Sequence, residues 1–427
     1  MNRMEKLFDL LEKATSQFHT VKAVKEELLE HDFETLCLKD NWDLKRGGKY
    51  LLEHHGSTLF AFTIGDKFTA KDGFRIAASH GDFPGFRIKA KAELEVDGYL
   101  QLNIETYGGA ILSTWLDRPL SVAGRVVLKS KDVFKPDVRL VDLKKPVLII
   151  PNLAIHFNRE MNKGVELRKQ VEMLPIYGTV SEQLTKDTFV QYIADALDVQ
   201  KSDILDYELT IYNTDKADFV GIQDEFVSAP RLDNLSSTQA LVEGITCGTR
   251  ESGLNMMVVF DHEEVGSRTK QGAASTLLTT VLEKIYLSLG MTSMDYTNAI
   301  EDSLLMSVDV SHAYHPNYKA KYDLTNRHVM NSGFAIKEAC SQSYATDSEA
   351  IGIVQQICEK EGIPYQKFMN HSDSVGGGTL GAISSAMLPI RTVDIGVPLF
   401  AMHSSRETMG VKDYKSLVDF MTAYYRL

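Results

Sequence analysis

Cysteine is scarce. Cys37, Cys247, Cys340 and Cys358 are the only four in 427 residues, and no two of them form a CxxC pair. That spacing excludes a disulfide framework and a thiolate zinc site, and it fits reduced thiols in a cytoplasmic protein. No stretch approaches the roughly 18 uninterrupted apolar residues that a membrane-spanning helix needs. The opening residues, Met1-Asn2-Arg3-Met4-Glu5-Lys6, run into a charged amphipathic pattern without the apolar centre of a signal peptide. Basic charge is in deficit, with 46 Lys and Arg against 58 Asp and Glu and a net charge of -12. This argues against nucleic acid or an anionic membrane as the main partner. Low-complexity tracts and internal repeats are also missing. What remains is an ordinary globular composition, 44% hydrophobic and 24% charged, in a chain too long for one average core.

The pattern along the chain divides it into two domains. Leu7, Leu10, Leu11, Val21, Val24 and Leu28 recur at helical spacing, with Ser16 and Thr20 as candidate caps. Strands follow at 57–63 and 74–79. From 91 to 229 the texture changes to short alternating segments such as Leu94–Val96, Gln101–Thr106 and Arg125–Lys129, punctuated by Gly and Pro. Beyond Pro230 strands near 255–260, 303–308 and 393–400 alternate with helices near 234–247, 272–289 and 346–361. The expected fold is α/β: a mainly parallel mixed sheet with helices on both faces, plus an inserted β-rich domain. Residues 1–90 and 230–427 form the first domain and 91–229 the insertion.

Chemistry gathers at the ends of these strands. The run Met256-Met257-Val258-Val259-Phe260 stops at Asp261-His262-Glu263-Glu264. Ligands collect at the carboxyl ends of buried strands in open α/β sheets. Side chains alternate along a strand, so neighbouring Glu residues leaving one point apart, and one can hold a metal while the other handles protons. His80 and Asp82 follow the 74–79 strand, Asp309 follows 303–308, His403 follows the last strand, and Asp233 precedes a helix. Singly, each has an ordinary structural role, such as an N-cap for Asp233. Jointly, two His, two Asp and one Glu form a mixed nitrogen and oxygen set suited to zinc or a similar divalent ion. Five candidate ligands with a spare Glu point to two metals sharing one carboxylate, about 3.5–4 Å apart. Asp82, two residues after His80, is placed to accept the other imidazole N–H.

The chain resembles the aspartyl aminopeptidase family of di-zinc metallopeptidases, within the co-catalytic zinc exopeptidases. The likeness spans Ser16 to Glu407 through SHGDFPGFRIK (79–89), YGGAILSTWLDRPLSVAGRV (107–126), PNLAIHFNRE (151–160), SAPRLDNL (228–235), DHEEVGS (261–267), DVSHAYHPNY (309–318), SDSVGGGTLG (372–381) and MHSSRE (402–407). The resemblance implies an exopeptidase that hydrolyses the N-terminal residue from peptides. Each subunit would carry two divalent metal ions, zinc first, with cobalt or manganese as alternatives. Asp233 would bridge them, with His80 and Asp309 on one ion and Glu264 and His403 on the other. Glu263 would be the general base and Asp82 would orient His80. The insertion would serve assembly in a homo-oligomer of twelve subunits, with His156 reaching a partner's substrate. Lys337 matches a family lysine that pairs with an acidic first residue, and Tyr344 adjoins it.

Two stretches depart from the family. A usual His is replaced within Ala110–Trp115, and an Asn-rich stretch reads Lys337-Glu338-Ala339-Cys340-Ser341-Gln342-Ser343. Both bear on side-chain preference, which leaves a neutral or broad-specificity aminopeptidase as the alternative to an acidic one. A non-catalytic self-assembling scaffold is a further alternative, disfavoured by the complete ligand set with its spare Glu. Gly376-Gly377-Gly378 lacks the Lys and Ser or Thr of a phosphate loop, so a nucleotide site is weaker still.

Overall fold

The computed structural model describes residues 2–374 and 376–427; Met1 and Val375, the latter within the SDSVGGGTLG motif, lie outside the described residues. The chain divides into two compact units, one of residues 1–82, 217–402 and 407–427, the other of 83–216 and 403–406. Position 90 falls inside the 12-residue strand Gly85–Val96, which goes whole into the second unit. Residues 217–229 join the first unit because Phe226–Ala229 pairs with Glu407–Gly410.

The first unit holds a nine-stranded sheet. Its order is Glu34–Leu36, Lys49–His54, Thr58–Ile64, Leu254–Phe260, Phe74–His80, Leu304–Val308, Arg391–Gly396, Phe334–Glu338 and Tyr365–Met369. Five of its eight pairings are parallel and three antiparallel. The four central strands, Leu254–Phe260 to Arg391–Gly396, all run the same way, so their carboxyl ends share one edge.

Burial explains the apolar runs. Every residue of Leu254–Phe260 and of Leu304–Val308 is buried. Met257 and Val259 pack into a core with helices Arg3–Lys13, Gln17–Glu30, Leu232–Cys247, Ser348–Glu361 and Val411–Arg426. Met256, Val258 and Phe260 face the other way, against Leu277–Ser288 and Ser293–Glu301. Alternate residues thus reach opposite layers, as a strand covered on both faces requires.

Local signals mostly act as the sequence indicates. Ser16 caps Gln17–Glu30, its side chain accepting from the His19 N–H. Thr20 is no cap: it lies inside that helix and donates to the carbonyls of Ser16 and Gly81, tying the helix to the end of a central strand. The strand expected at 393–400 is two strands. Arg391–Gly396 stays in the large sheet, and Pro398–Phe400 joins a five-stranded sheet with Ser311–His312, Glu407–Gly410, Phe226–Ala229 and Asp218–Val220.

The second unit is β-rich. Its six strands, Asp137–Asp142, Leu120–Leu128, Ile204–Asn213, Gly85–Val96, Tyr99–Tyr107 and Ile176–Thr179, pair antiparallel throughout. Phe86, Leu102, Val122 and Leu209 form its core with Phe189 and Ile193 of helix Thr188–Ala196. Among the described residues no helix is long and apolar enough to cross a membrane.

Candidate metal centre

His80 is the last residue of its strand and sits in register with Phe260, so the segment after Phe260 turns beside the imidazole. That segment does not continue as a strand. His262 takes a left-handed conformation, φ 61°, and Glu263–Val265 form a single 3-10 turn. The expected strand alternation therefore does not apply to the two Glu residues, and both carboxylates come to the His80 cluster, Glu263 Oε2 at 3.9 Å from His80 Nε2 and Glu264 within 4.8 Å of His80 and Asp233 ligand atoms. The Asp82 carboxylate holds this turn in place, accepting the Glu263 N–H and the Glu264 N–H, each at 3.2 Å. Asp82 was expected to hold the His80 imidazole through its carboxylate. The Asp82 carboxylate Oδ1 stands 3.5 Å from His80 Nδ1, and the Asp82 backbone carbonyl comes nearer to the same nitrogen at 3.0 Å.

The other imidazole nitrogen faces acids. His80 Nε2 lies 3.5 Å from Asp233 Oδ1, 3.6 Å from Asp309 Oδ1 and 3.9 Å from Glu263 Oε2. Asp233 stands on a bend ahead of its helix proper, where Arg231 is left-handed and Asp233 itself has ψ 110°. Its N–H donates to Glu407 Oε2 at 2.9 Å, and the neighbouring Asn234 side chain donates to the Val308 carbonyl. The same helix is fastened to the His80 strand, because Thr238 donates to the His80 carbonyl and meets Ser79 Oγ at 2.9 Å. Asp309 is fixed where its N–H donates to Ile395, with its Oδ1 accepting the Val310 N–H.

Electrostatics within this cluster are severe. Burial acts to lower the His80 pKa, but Asp233, Asp309 and Asp82 overcome it, and the imidazole stands well above its ordinary value. Burial pushes the Glu263 carboxyl up to about 8 against the His80 charge, with Asp309, Asp82 and Asp233 adding to the rise. Glu264 is raised well above the carboxylate range by burial and then by Asp233. Buried acids so close together cannot all ionise without a compensating cation. Ligand atoms of His80, Asp233 and Glu264 lie within 4.8 Å of one another. One imidazole nitrogen and two carboxylates in that space fit a divalent metal of the zinc type.

His403 belongs to the second unit. It has φ 69°, and its Nδ1 lies 3.2 Å from the Gly109 carbonyl, in the YGG segment. His156, also in that unit, sits exposed in a turn. Lys337 and Tyr344 come together in the first unit. Lys337 lies on strand Phe334–Glu338 and is 1% exposed; its Nζ donates to the Val310 carbonyl at 3.1 Å and stands 5.1 Å above the Tyr344 ring. Sequence reading overlooked three residues that support the site. Glu407 was quoted only as part of a motif, and Thr238 carries no signal of its own. Asp394, a fully buried acid inside an apolar strand, was detectable as a charge where none belongs.

A parallel-centred sheet with imidazole and carboxylates converging at its strand ends defines a metal-dependent hydrolase. The particular group follows from comparison: residues 10–425 match the aminopeptidase I zinc metalloprotease (M18) family, and the chain belongs to it. It is therefore a zinc metallo-aminopeptidase, which removes N-terminal residues. A probable M18 family aminopeptidase 2 from Clostridium novyi (strain NT) is 44% identical over 423 residues, covering 99% of this chain and 98% of that protein. Among solved structures, the Ape4 in a complex of Ape4 and Nbr1 superposes with a TM-score of 0.95 at 33% identity, covering 99% of this chain and 85% of that one. The S. cerevisiae mApe1 dodecamer gives a TM-score of 0.85 at 26% identity, covering 99% and 96%.

Proposed function

We propose that this aminopeptidase works with two divalent ions, zinc first, and prefers substrates whose first residue is acidic. The observation that carries the metal reading is buried His80 with Asp233, Asp309 and Glu263 within 3.9 Å of its Nε2. His80, Asp233, Glu264, Asp309 and His403 would hold the ions. Bound there, the metals supply polarisation of the scissile carbonyl and acidification of the attacking water. Glu263 takes the proton of that water and passes it to the leaving amine nitrogen. Its turn is held by Asp82 through two backbone N–H groups, which fixes the carboxylate for proton transfer. The substrate's free α-amino group would be met by the surrounding carboxylates, which restricts cleavage to chain ends.

Lys337 and Tyr344 support the acidic preference. A buried ammonium beside an aromatic wall offers a substrate Asp or Glu a charge-assisted hydrogen bond. The dodecameric mApe1 relative supports a closed homo-oligomer here, in which His156 of the β-rich unit would act across a subunit boundary. Four free cysteines support a cytoplasmic location.

Comparing kcat/KM on Asp-, Glu- and Leu-linked chromogenic substrates tests the preference. Acidic substrates are expected to lead, and a clear Leu lead overturns it in favour of a neutral or broad aminopeptidase. Metal analysis after saturation is expected to return two ions per chain, and one or fewer refutes the paired site.

A further inference from the structure

Asp394 is fully buried in the middle of the sheet, on strand Arg391–Gly396, directly across from Lys337 in the antiparallel register. Residues opposite one another on such a pair project from the same face, with Cβ atoms about 4.5–5.5 Å apart. The Asp394 carboxylate is fixed from two directions: Thr379 Oγ1 donates to Oδ1 at 2.5 Å and the Ala345 N–H donates to Oδ2 at 2.7 Å. Gly381 makes room for it, since a Cβ there would come within 2.7 Å of both oxygens. The Asp394 N–H also donates to Thr346 Oγ1 at 2.8 Å, so the Ala345-Thr346 segment beside Tyr344 is held at two points.

We propose that Asp394 is a specificity-setting positioning residue: the buried counter-charge that keeps the Lys337 ammonium in the pocket for the substrate's first side chain. Its oxygens are occupied by the Thr379 hydroxyl and the Ala345 N–H, so it acts on Lys337 as a charge across the strands and leaves ammonium N–H groups for a ligand. An ammonium has three donors, and the Val310 carbonyl takes one. An isolated buried ammonium sheds its proton or leaves the pocket, and the neutral amine then recognises a carboxylate no better than it recognises any acceptor. The two groups sense each other: burial raises the Asp394 carboxyl, and the Lys337 charge opposes that rise. The inference rests on the acidic-pocket reading of Lys337.

The test is the ratio of kcat/KM for an Asp-linked to a Leu-linked substrate, measured on the metal-loaded enzyme in four forms: wild type, Asp394→Asn, Lys337→Met and the double variant. Asp394→Asn is expected to lower the ratio about tenfold, mainly through KM for the acidic substrate, the scale on which a charge-assisted hydrogen bond exceeds a neutral one. In the Lys337→Met background the same change is expected to leave the ratio within twofold, which a merely structural role would not produce. Thr379→Val, which removes a hydrogen bond and no charge, is expected to leave the ratio unaltered. Should Asp394→Asn not fold, Asp394→Ser gives the same comparison. If the wild type prefers acidic substrates and Lys337→Met abolishes that preference while Asp394→Asn or Asp394→Ser keeps it, the Asp394 role is overturned and the pocket stands. If the wild type prefers Leu, or Lys337→Met leaves the ratio unaltered, the pocket reading fails and takes this inference with it.

Discussion

Glu263 and Glu264 are chain neighbours in one acidic cluster, with His80, Asp82 and Asp233 near both. Glu263 faces His80 Nε2 at 3.9 Å and ligates no ion in the proposed arrangement, which leaves its carboxylate for proton transfer. Glu263→Gln keeps the size and the backbone contacts to Asp82 while removing the ability to take a proton. A fall in kcat of roughly 10²–10⁴-fold is expected, with metal content and circular dichroism unchanged; wild-type turnover would remove Glu263 from the proton path. The identities of these residues were legible because a buried apolar run ending in acids is rare and physically pointed. The geometry around Asp82 was not legible. Its carbonyl and its carboxylate both stand at the imidazole, and the carboxylate is shared with a turn 181 residues further along the chain, where the Glu263 and Glu264 N–H groups arrive.

Strand identity was readable from unbroken runs of buried Val, Ile, Leu and Met, whereas strand ends depended on contacts from elsewhere. Gly396 shows why. A Cβ there would lie 1.5 Å from the Asp309 carbonyl oxygen, and at this approach the chain leaves the large sheet before Pro398–Phe400. Gly396→Ala should therefore displace Asp309, costing about 1–3 kcal/mol as an overpacked backbone contact. The expected result is a lower unfolding midpoint together with weaker metal retention during dialysis; unchanged retention would separate the strand end from the centre. Lys337 is a buried strand residue. A single lysine between Ile336 and Glu338 carries no local mark of burial, which comes from its Val310 and Tyr344 partners. His328 is buried near Lys337, its Nε2 2.9 Å from Ser311 Oγ and its ring 4.7 Å from that of Phe368. Burial, then His312 and Lys337, push its pKa down to about 3. A depressed His pKa means the unfolded chain binds the proton first, so this contribution to stability is complete above about 6.5 and is lost as pH falls toward 3. The unfolding midpoint should drop between pH 7 and 5, and His328→Gln should shallow that drop. Equal slopes in both proteins would exclude His328 as a source.

Across the whole molecule, the division of labour follows chemistry. The first unit carries the buried acids, and the β-rich unit groups exposed apolar side chains in one short segment, Leu153 at 54%, Ile155 at 49% and Phe157 at 81% exposure on either side of His156. A soluble monomer gains nothing from presenting several such residues in one short segment, and burial against another copy would recover roughly 25 cal/mol for each Å² of apolar surface covered. The composition of the PNLAIHFNRE segment was visible in the sequence, but its exposure was not, because alternating apolar residues there read equally as a buried strand. If the segment joins subunits and delivers His156, assembly and turnover should fail together. Phe157→Asp should yield a smaller particle by light scattering, with metal content per chain retained and hydrolysis lost. His156→Ala should keep the assembled size and lose turnover alone. A Phe157→Asp protein that stays fully assembled, or one that dissociates with full activity, would show that this segment does not couple assembly to turnover.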